Sequence, residues 1–146
     1  MNNYIIRKAQ EDDVNVISKL LKQLGYETEP VVIKKMLTTA TNPDNEVFVC
    51  THNEKVIALM SLIIFNYFPS AQKLCRITSI VVNEKLRGSG VGTKLINHAK
   101  FIALNRNCSI LEVTTSLKRQ QTQKYYENIG FKKTSYKYIL KLENNV

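Results

Sequence analysis

The residues best suited to chemistry in this sequence are an arginine and three alternating glycines between positions 87 and 93. The segment reads Arg87, Gly88, Ser89, Gly90, Val91, Gly92 and Thr93, and it follows the β-branched run Ile80, Val81 and Val82. Such a run is typical of a strand, and a helical pattern begins directly after the glycines. Glycines let the backbone approach a ligand, and the amides of the first helical turn, the helix dipole and the guanidinium all favour an anion. The segment therefore predicts a phosphate-binding loop.

The spacing of the glycines narrows the kind of phosphate ligand. A dinucleotide fingerprint G-x-G-x-x-G that starts at Gly88 would require glycine at position 93, where the chain has Thr93. The P-loop pattern G-x-x-x-x-G-K-[ST] also has no match. A tight strand-to-helix turn without a ligand is the simpler alternative, but such a turn requires neither three alternating glycines nor a preceding arginine.

Length and composition predict one compact domain that spans residues 1–146. The chain is 44% hydrophobic and 23% charged, which is ordinary for a globular protein. No segment approaches the roughly 20 apolar residues that cross a bilayer, and no signal peptide pattern is present, so we expect a cytoplasmic protein. Cys50, Cys75 and Cys108 are odd in number and lack C-x-x-C spacing, which favours core thiols over disulfides or a metal site.

The net charge of +9 is distributed unevenly along the chain. Residues 1–72 contain 7 Lys and Arg against 8 Asp and Glu, whereas residues 73–146 contain 14 against 4. This asymmetry suits an enzyme whose second part binds a polyanion and whose first part receives a cation. A basic, solvated surface or a nucleic-acid-binding domain would give the same charge.

Hydrophobic periodicity gives the order strand, two helices, three strands, helix, strand, helix and strand. The predicted strands are 4–7, 46–51, 56–67, 74–82 and 109–115, with one or two more within 131–142, and the predicted helices begin near residues 12, 30, 91 and 119. Polar residues 52–55 predict a hairpin turn between the second and third strands.

Two motifs resemble those of the GNAT family of N-acetyltransferases. Arg87, Gly90 and Gly92 satisfy the acyl-CoA signature [Q/R]-x-x-G-x-[G/A]. A subgroup pattern T-S-x-x-x-R-x-x-A-x-x-F-Y-E-x-x-G-F is matched by Thr115, Ser116, Arg119, Tyr126, Glu127, Gly130 and Phe131, with Thr122 and Tyr125 as departures of similar size. The resemblance implies an α/β fold (α+β by some schemes) with a central mixed, mostly antiparallel sheet, helices on both faces and a splay between the fourth and fifth strands.

The resemblance also implies the co-substrate and the reaction. Acetyl-CoA would place its pyrophosphate on the backbone of residues 87–93 and its pantetheine arm beside Ile80, Val81 and Val82, with further contacts from Arg119 and Tyr126. The acetyl group would pass directly to a primary amine of a small molecule or peptide within a ternary complex. Tyr126 matches the family's proton donor to the leaving thiolate.

The acceptor side has less motif content. Many relatives carry a carboxylate where this chain has Thr78, Ser79 and Ile80, and none of these side chains is a base at neutral pH. The candidate substrate residues are Tyr26, Glu27, Glu29, Phe65, Tyr67 and Thr78. We expect acetyl-CoA and an amine as ligands, no metal, no nucleic acid and no membrane; a homodimer is compatible with the resemblance. The alternatives are an aminoglycoside-type antibiotic acetyltransferase, or a non-catalytic module that binds CoA or nucleic acid.

Overall fold

A computed structural model describes residues 3–39, 43–115 and 119–143 and divides the chain into two compact units, Met1–Thr114 and Thr115–Val146. The first unit contains a five-stranded sheet in the order β1-β2-β3-β4-β5. Its strands are β1 (Tyr4–Lys8), β2 (Asn45–His52), β3 (Lys55–Tyr67), β4 (Gln72–Val82) and β5 (Ile110–Val113). Neighbouring strands pair antiparallel except β4 and β5, which are parallel. The prediction of a mixed, mostly antiparallel sheet is confirmed.

Helices cover both faces of this sheet. The helices are α1 (Val14–Leu24), α2 (Pro30–Thr39) and α3 (Val91–Asn105). Ile17, Leu20 and Ile33 of α1 and α2 form a buried cluster with Val49, Leu59 and Val81 of the sheet. Phe48, which precedes Val49 and so points to the opposite face, makes an edge contact with His98 of α3. The apolar stripes of the helices are therefore buried on opposite sides, as their periodicity predicts.

The hairpin between β2 and β3 shows how a short turn sets the register of the sheet. Asn53 and Glu54 have φ values of 50° and 68°. Two consecutive left-handed residues form a turn whose twist matches that of antiparallel strands. The polar segment 52–55 is thus the predicted hairpin turn, with His52 paired to Lys55.

The second unit contains α4 (Gln120–Asn128), and Gly130 follows it with a φ of 107°. The prediction of a further strand within 131–142 was wrong for the part of the chain that the structure describes, because residues 131–143 have no regular secondary structure. Tyr136, Tyr138, Leu140 and Leu142 alternate as in a strand, but all four side chains are exposed. A strand requires a neighbour for its backbone hydrogen bonds, and alternation alone does not supply one.

The turn before α1 is held by a buried carboxylate. Asp13 accepts bonds from Arg7 Nη1 at 2.7 Å and Arg7 Nη2 at 2.9 Å, and a third from the Gln10 amide at 2.7 Å. The bond from Arg7, together with the backbone bond and the positive charge, lowers the pKa of Asp13, although burial opposes the shift. Asp13 therefore ties the end of β1 to the beginning of α1.

We expect Asp13→Asn to lower the free energy of unfolding by about 1.5–3 kcal/mol, because it removes charge-assisted hydrogen bonds. Glu11→Gln is the matched control, since its pair with Lys34 is solvent-exposed and should contribute less than about 0.5 kcal/mol. Because the pKa of Asp13 is lowered by folding, its contribution is present above about pH 4 and is lost as the pH falls below that value. Urea denaturation at neutral and acid pH measures both effects. A difference between Asp13→Asn and the parent that did not shrink as the pH fell below about 4 would contradict the electrostatic explanation.

Among the described residues, none of the helices combines the length and the apolar character that crossing a bilayer requires.

Candidate functional site

The strands β4 and β5 separate part-way along their length. Their parallel register runs from Leu74 and Ile110 to Ile77 and Val113 and ends there. β4 nevertheless continues to Val82, where it pairs with Ala58 of β3 only. From Thr78 onward, one edge of β4 thus has no strand partner within the described residues, and its backbone groups on that side are available to a ligand. The predicted opening lies beside Ile80, Val81 and Val82.

A β-bulge lies at the point where the two strands part. The register between β3 and β4 shifts between Ser61 and Leu62, so that Ser61 pairs with Ser79, Leu62 pairs with Ile77, and Thr78 is the extra residue. Ser61 Oγ lies 2.7 Å from Thr78 Oγ1 and 2.5 Å from Ser79 Oγ. We call these three side chains the hydroxyl cluster. The bulge turns Thr78 and Ser79 toward one face of the sheet, beside the opening.

The glycine loop, residues 87–93, leads from the opening into α3. Gly88 and Gly90 both have a φ of 86°, and a Cβ built on either would meet no protein atom within 4 Å. The space beside the loop is thus open, and only glycine adopts this backbone conformation without strain. Gly92 differs, because it lies within α3.

The beginning of α3 carries amide groups without a side-chain cap. Gly90 occupies the N-cap position and provides no side chain to bond the first turn, while its carbonyl accepts from the Lys94 amide at 3.1 Å. The amides of Val91 and Gly92 have no acceptor within the helix. The side chains of Val81 and Val91 are buried in the core, so these residues can offer only backbone groups to a ligand. These amides and the open space beside them are features of an anion-binding site, and phosphate binding at the loop stays a prediction.

Arg87 connects the loop to the end of β4. Its side chain is exposed, and its Nε donates to the Val82 carbonyl at 3.4 Å. Ser89 Oγ donates to the Leu86 carbonyl at 2.6 Å, which links the loop to the turn before it. Thr93, at the other end of the loop, is exposed. The guanidinium thus lies near the end of the strand opening, where it adds a positive charge to that of the helix dipole.

A comparison with protein families agrees with the geometry of the strand opening and the glycine loop. A model of the acetyltransferase (GNAT) family matches residues 12–131. The chain belongs to the GNAT family. The matched range includes every helix and every strand except β1, so the family assignment covers both units.

Two groups of proteins are similar to this GNAT chain. An aminoalkylphosphonate N-acetyltransferase of Salmonella typhimurium is 24% identical over 59% of this chain and 56% of its own length. The chain thus spans little more than half of that relative. A crystal structure of a transcriptional regulator from Bacillus halodurans has a TM-score of 0.85 and 21% identity over 96% of this chain and all of the other. An aminoglycoside N-acetyltransferase solved with CoA has a TM-score of 0.82 and 17% identity over 99% and 97%. At these identities the two structures show the fold.

Tyr126 lies on α4 in the second unit. It is buried, and its ring contacts those of Tyr125 and Phe131 at centroid distances of 5.7 Å and 5.6 Å. Burial raises the pKa of Tyr126 to about 12; Tyr125 adds to the rise, and Arg119 opposes it. The phenol is therefore fully protonated at neutral pH. Ser116 of the same motif lies outside the described residues.

The predicted substrate residues of this GNAT chain are distributed over two regions. Tyr26, Glu27 and Glu29 are exposed in the link between α1 and α2, which Ser18 holds through a 2.7 Å bond to the Thr28 carbonyl. Phe65, Tyr67 and Thr78 belong to β3 and β4. Thr78 is exposed in the hydroxyl cluster, Phe65 is half-buried, and Tyr67 is exposed at the end of β3. The structure therefore places only the second group on the sheet.

The sequence analysis missed an ion pair beside the strand opening. Arg76 Nε lies 2.6 Å from Glu112 Oε1, and the Arg76 guanidinium carbon lies 4.8 Å from the centre of the Phe65 ring. Glu112 is thus a carboxylate near the place where a proton acceptor was sought. The available signal was a charged residue within each of two otherwise apolar strands, but their proximity depends on a parallel pairing that neither segment reveals alone.

The three cysteines and His98 are wholly or partly buried. Cys50, Cys75 and Cys108 are free and buried, and burial raises the pKa of each thiol, that of Cys75 to about 11. Burial lowers the pKa of His98, which borders a shallow cavity of about 390 Å³ between β1 and α3. No group of three or more potential metal ligands occurs within residues 3–39, 43–115 and 119–143.

Proposed function

We propose that the chain is an N-acetyltransferase that transfers the acetyl group of acetyl-CoA to a primary amine by direct attack in a ternary complex. The observation that carries this proposal is the end of β4–β5 pairing at Ile77 and Val113, after which β4 continues to Val82 and the chain leads into the glycine loop. An unpaired strand edge can bind the amides of an extended arm, and the loop beyond it can bind a pyrophosphate. A CoA thioester has both groups in this order. Family membership supports the proposal.

The chemistry requires an uncharged amine, a polarised carbonyl and stabilisation of the leaving thiolate. An alkylammonium has a pKa near 10.4, so the acceptor must lose a proton before attack. A backbone amide of β4 near Val82 would polarise the acetyl carbonyl. All three cysteines are buried and burial raises the pKa of each thiol, which favours direct attack over a covalent intermediate.

Tyr126 is the proposed partner of the leaving thiolate. With a pKa of about 12, it is a much weaker acid than a thiol with a pKa near 8.5. Complete proton transfer would therefore be unfavourable by roughly 5 kcal/mol. We infer that Tyr126 stabilises the thiolate by donating a hydrogen bond, and that the proton lost by the amine supplies the thiol.

Thiol release from acetyl-CoA in the presence of different amines tests the proposal. The panel contains a polyamine, an aminoglycoside, amino acids, a peptide amine and an aminoalkylphosphonate, the last because the Salmonella relative's name gives that acceptor. Thiol release that depends on one of these amines, with an acetylated product in the mass spectrum, is the expected result. Acetyl-CoA binding without transfer would favour a binding module. Retention of nucleic acid at moderate salt without acetyl-CoA binding would favour the nucleic-acid alternative.

Arg87→Ala should weaken acetyl-CoA binding by about 1.5–3 kcal/mol, the usual contribution of a charge-assisted hydrogen bond. Isothermal titration calorimetry measures the affinity. Lys85→Ala is the matched control, because this exposed cation lies in the turn before the loop and is absent from the signature. Equal losses in the two variants would indicate a general effect of positive charge, and no loss in Arg87→Ala would refute the assignment.

A further inference from the structure

The ion pair between Arg76 and Glu112 lies on a defined face of the sheet. Leu59, Ser61 and Ile63 alternate onto the face that carries the α1–α2 core cluster, and Ile63 pairs with Arg76. Arg76 also pairs with Glu112 of β5, one residue before the last β4–β5 pair. The ion pair is therefore next to the strand opening, on the same face as the hydroxyl cluster.

Both members of the pair retain groups that can bind a ligand. Only Nε of Arg76 and Oε1 of Glu112 are used in their contact, and in the part of the chain that the structure describes Nη1, Nη2 and Oε2 have no hydrogen-bond partner. The side chains are 40% and 33% exposed. A stacked guanidinium with an unused edge matches a carboxylate or phosphate, and a carboxylate oxygen beside it matches an ammonium.

The direction of the Arg76 side chain determines how its guanidinium, the Glu112 carboxylate and the hydroxyl cluster follow one another along the strands. Its guanidinium stacks on Phe65, which pairs with Leu74, so it leans away from the end at which β4 and β5 part. Glu112 Oε2 lies beside it, and the hydroxyl cluster lies on the other side, at the opening. An acceptor that extends along this face would meet a cation first, then a carboxylate and hydroxyl groups next to the place proposed for the thioester.

We infer that this face binds an amine that also carries an acidic group, with the acid on Arg76 and the ammonium near Glu112 and the hydroxyl cluster. This inference rests on the proposed N-acetyltransferase function and adds a class of acceptor to it. Glu112 replaces the missing carboxylate of β4 as the residue that attracts the ammonium. The net charge of +10 in residues 73–146 favours the approach of such an acid-bearing molecule.

A purely structural role for the ion pair makes a different prediction. A cross-strand pair of this exposure contributes roughly 0–1 kcal/mol to stability, and if that were its only role, its removal would lower the melting temperature slightly and leave the choice of acceptor unchanged. Acceptor preference therefore distinguishes the two roles, and stability alone does not.

Steady-state kinetics with three amines that share an aminoethyl group tests the inference. β-Alanine carries a carboxylate, phosphoethanolamine carries a phosphate, and ethylamine carries no acid. We expect kcat/KM for at least one acid-bearing amine to exceed that for ethylamine by tenfold or more. The two acid-bearing probes show which acid the Arg76 edge prefers.

Substitutions of Arg76 and Glu112 test whether this ion pair causes the preference for an acid-bearing amine. In Arg76→Gln the ratio of kcat/KM between the acid-bearing amine and ethylamine should fall at least tenfold through a higher KM, whereas Arg76→Lys should recover part of it. Glu112→Gln should raise KM for every amine at neutral pH. Arg106→Gln is the matched control, because Arg106 pairs with Asp44 at a similar distance and exposure but follows α3, which packs on the opposite face of the sheet. It should not alter the ratio.

The outcomes separate this inference from the proposed function. Failure of the wild-type protein to bind acetyl-CoA in calorimetry would overturn both. Acetyl-CoA binding with no preference for an acid-bearing amine, or with no transfer to either of them, would overturn the acceptor class alone. A ratio that fell equally in Arg76→Gln and Arg106→Gln would also overturn it.

Discussion

Tyr126→Phe is expected to lower kcat about a hundredfold or more while acetyl-CoA affinity changes little. The substitution removes only the hydroxyl group, so the ring keeps its contacts with Tyr125 and Phe131 and the fold is retained. A hydrogen bond donated to charge that develops in the transition state typically contributes roughly 10²–10³-fold to a rate. Single-turnover thiol release measures the chemical step, and calorimetry measures the affinity.

Tyr125→Phe is the matched control for this experiment. It removes a hydroxyl from the neighbouring residue of the same helix, which is only half-buried. Because burial raises the pKa of Tyr126 to about 12, its ionisation should not reduce the rate as the pH rises from about 7 to about 10. Equal rates in Tyr126→Phe and the parent would place the thiolate's partner elsewhere, and equal losses in both variants would indicate a packing effect.

The part of the site that could be predicted from the sequence is the part that one segment forms by itself. Arg87, Gly88 and Gly90 are neighbours in the chain, and the backbone conformation of both glycines is a local property that their lack of a Cβ permits. The hairpin at Asn53 and Glu54 was predictable for the same reason, since its polar residues adopt the left-handed backbone.

The proposed acceptor side could not be predicted because it depends on contacts between distant segments. Arg76 and Glu112 are brought together by a parallel register, and the hydroxyl cluster exists because a bulge places Thr78 and Ser79 beside Ser61. Neither a parallel register nor a bulge has a reliable local signal here, and a shift of one residue would reverse the face of every side chain.

The segment after Phe131 shows a different error, because there the sequence predicted a strand that the structure lacks. Its alternating apolar residues have the period of a strand. This period shows only which side chains would share a face if a strand formed. A strand forms only where another strand accepts its backbone hydrogen bonds, and the second unit provides α4 but no strand for residues 131–143. The prediction was therefore wrong because an alternating pattern does not show whether a partner strand is available.

Gly90→Val is expected to weaken acetyl-CoA binding by at least about a hundredfold, or about 2.7 kcal/mol. The branched side chain would fill the open space beside the loop, where a Cβ on Gly90 would have no protein atom within 4 Å. A phosphate displaced from the amides of Val91 and Gly92 would lose charge-assisted hydrogen bonds that contribute about 1.5–3 kcal/mol each. Calorimetry with acetyl-CoA measures the loss, and Gly90→Ala should show a smaller one.

Backbone strain accompanies this substitution and has to be measured separately. Gly25, which ends α1 with a φ of 108° and has no protein atom within 4 Å of a Cβ position, provides the control, because Gly25→Val imposes similar left-handed strain at a position outside residues 87–93. Both variants should lose about 1–3 kcal/mol of stability. Only Gly90→Val should lose acetyl-CoA affinity, because only there does the new side chain occupy the space that we assign to the pyrophosphate. Equal affinities in the two variants would mean that the glycine loop is a turn without a ligand.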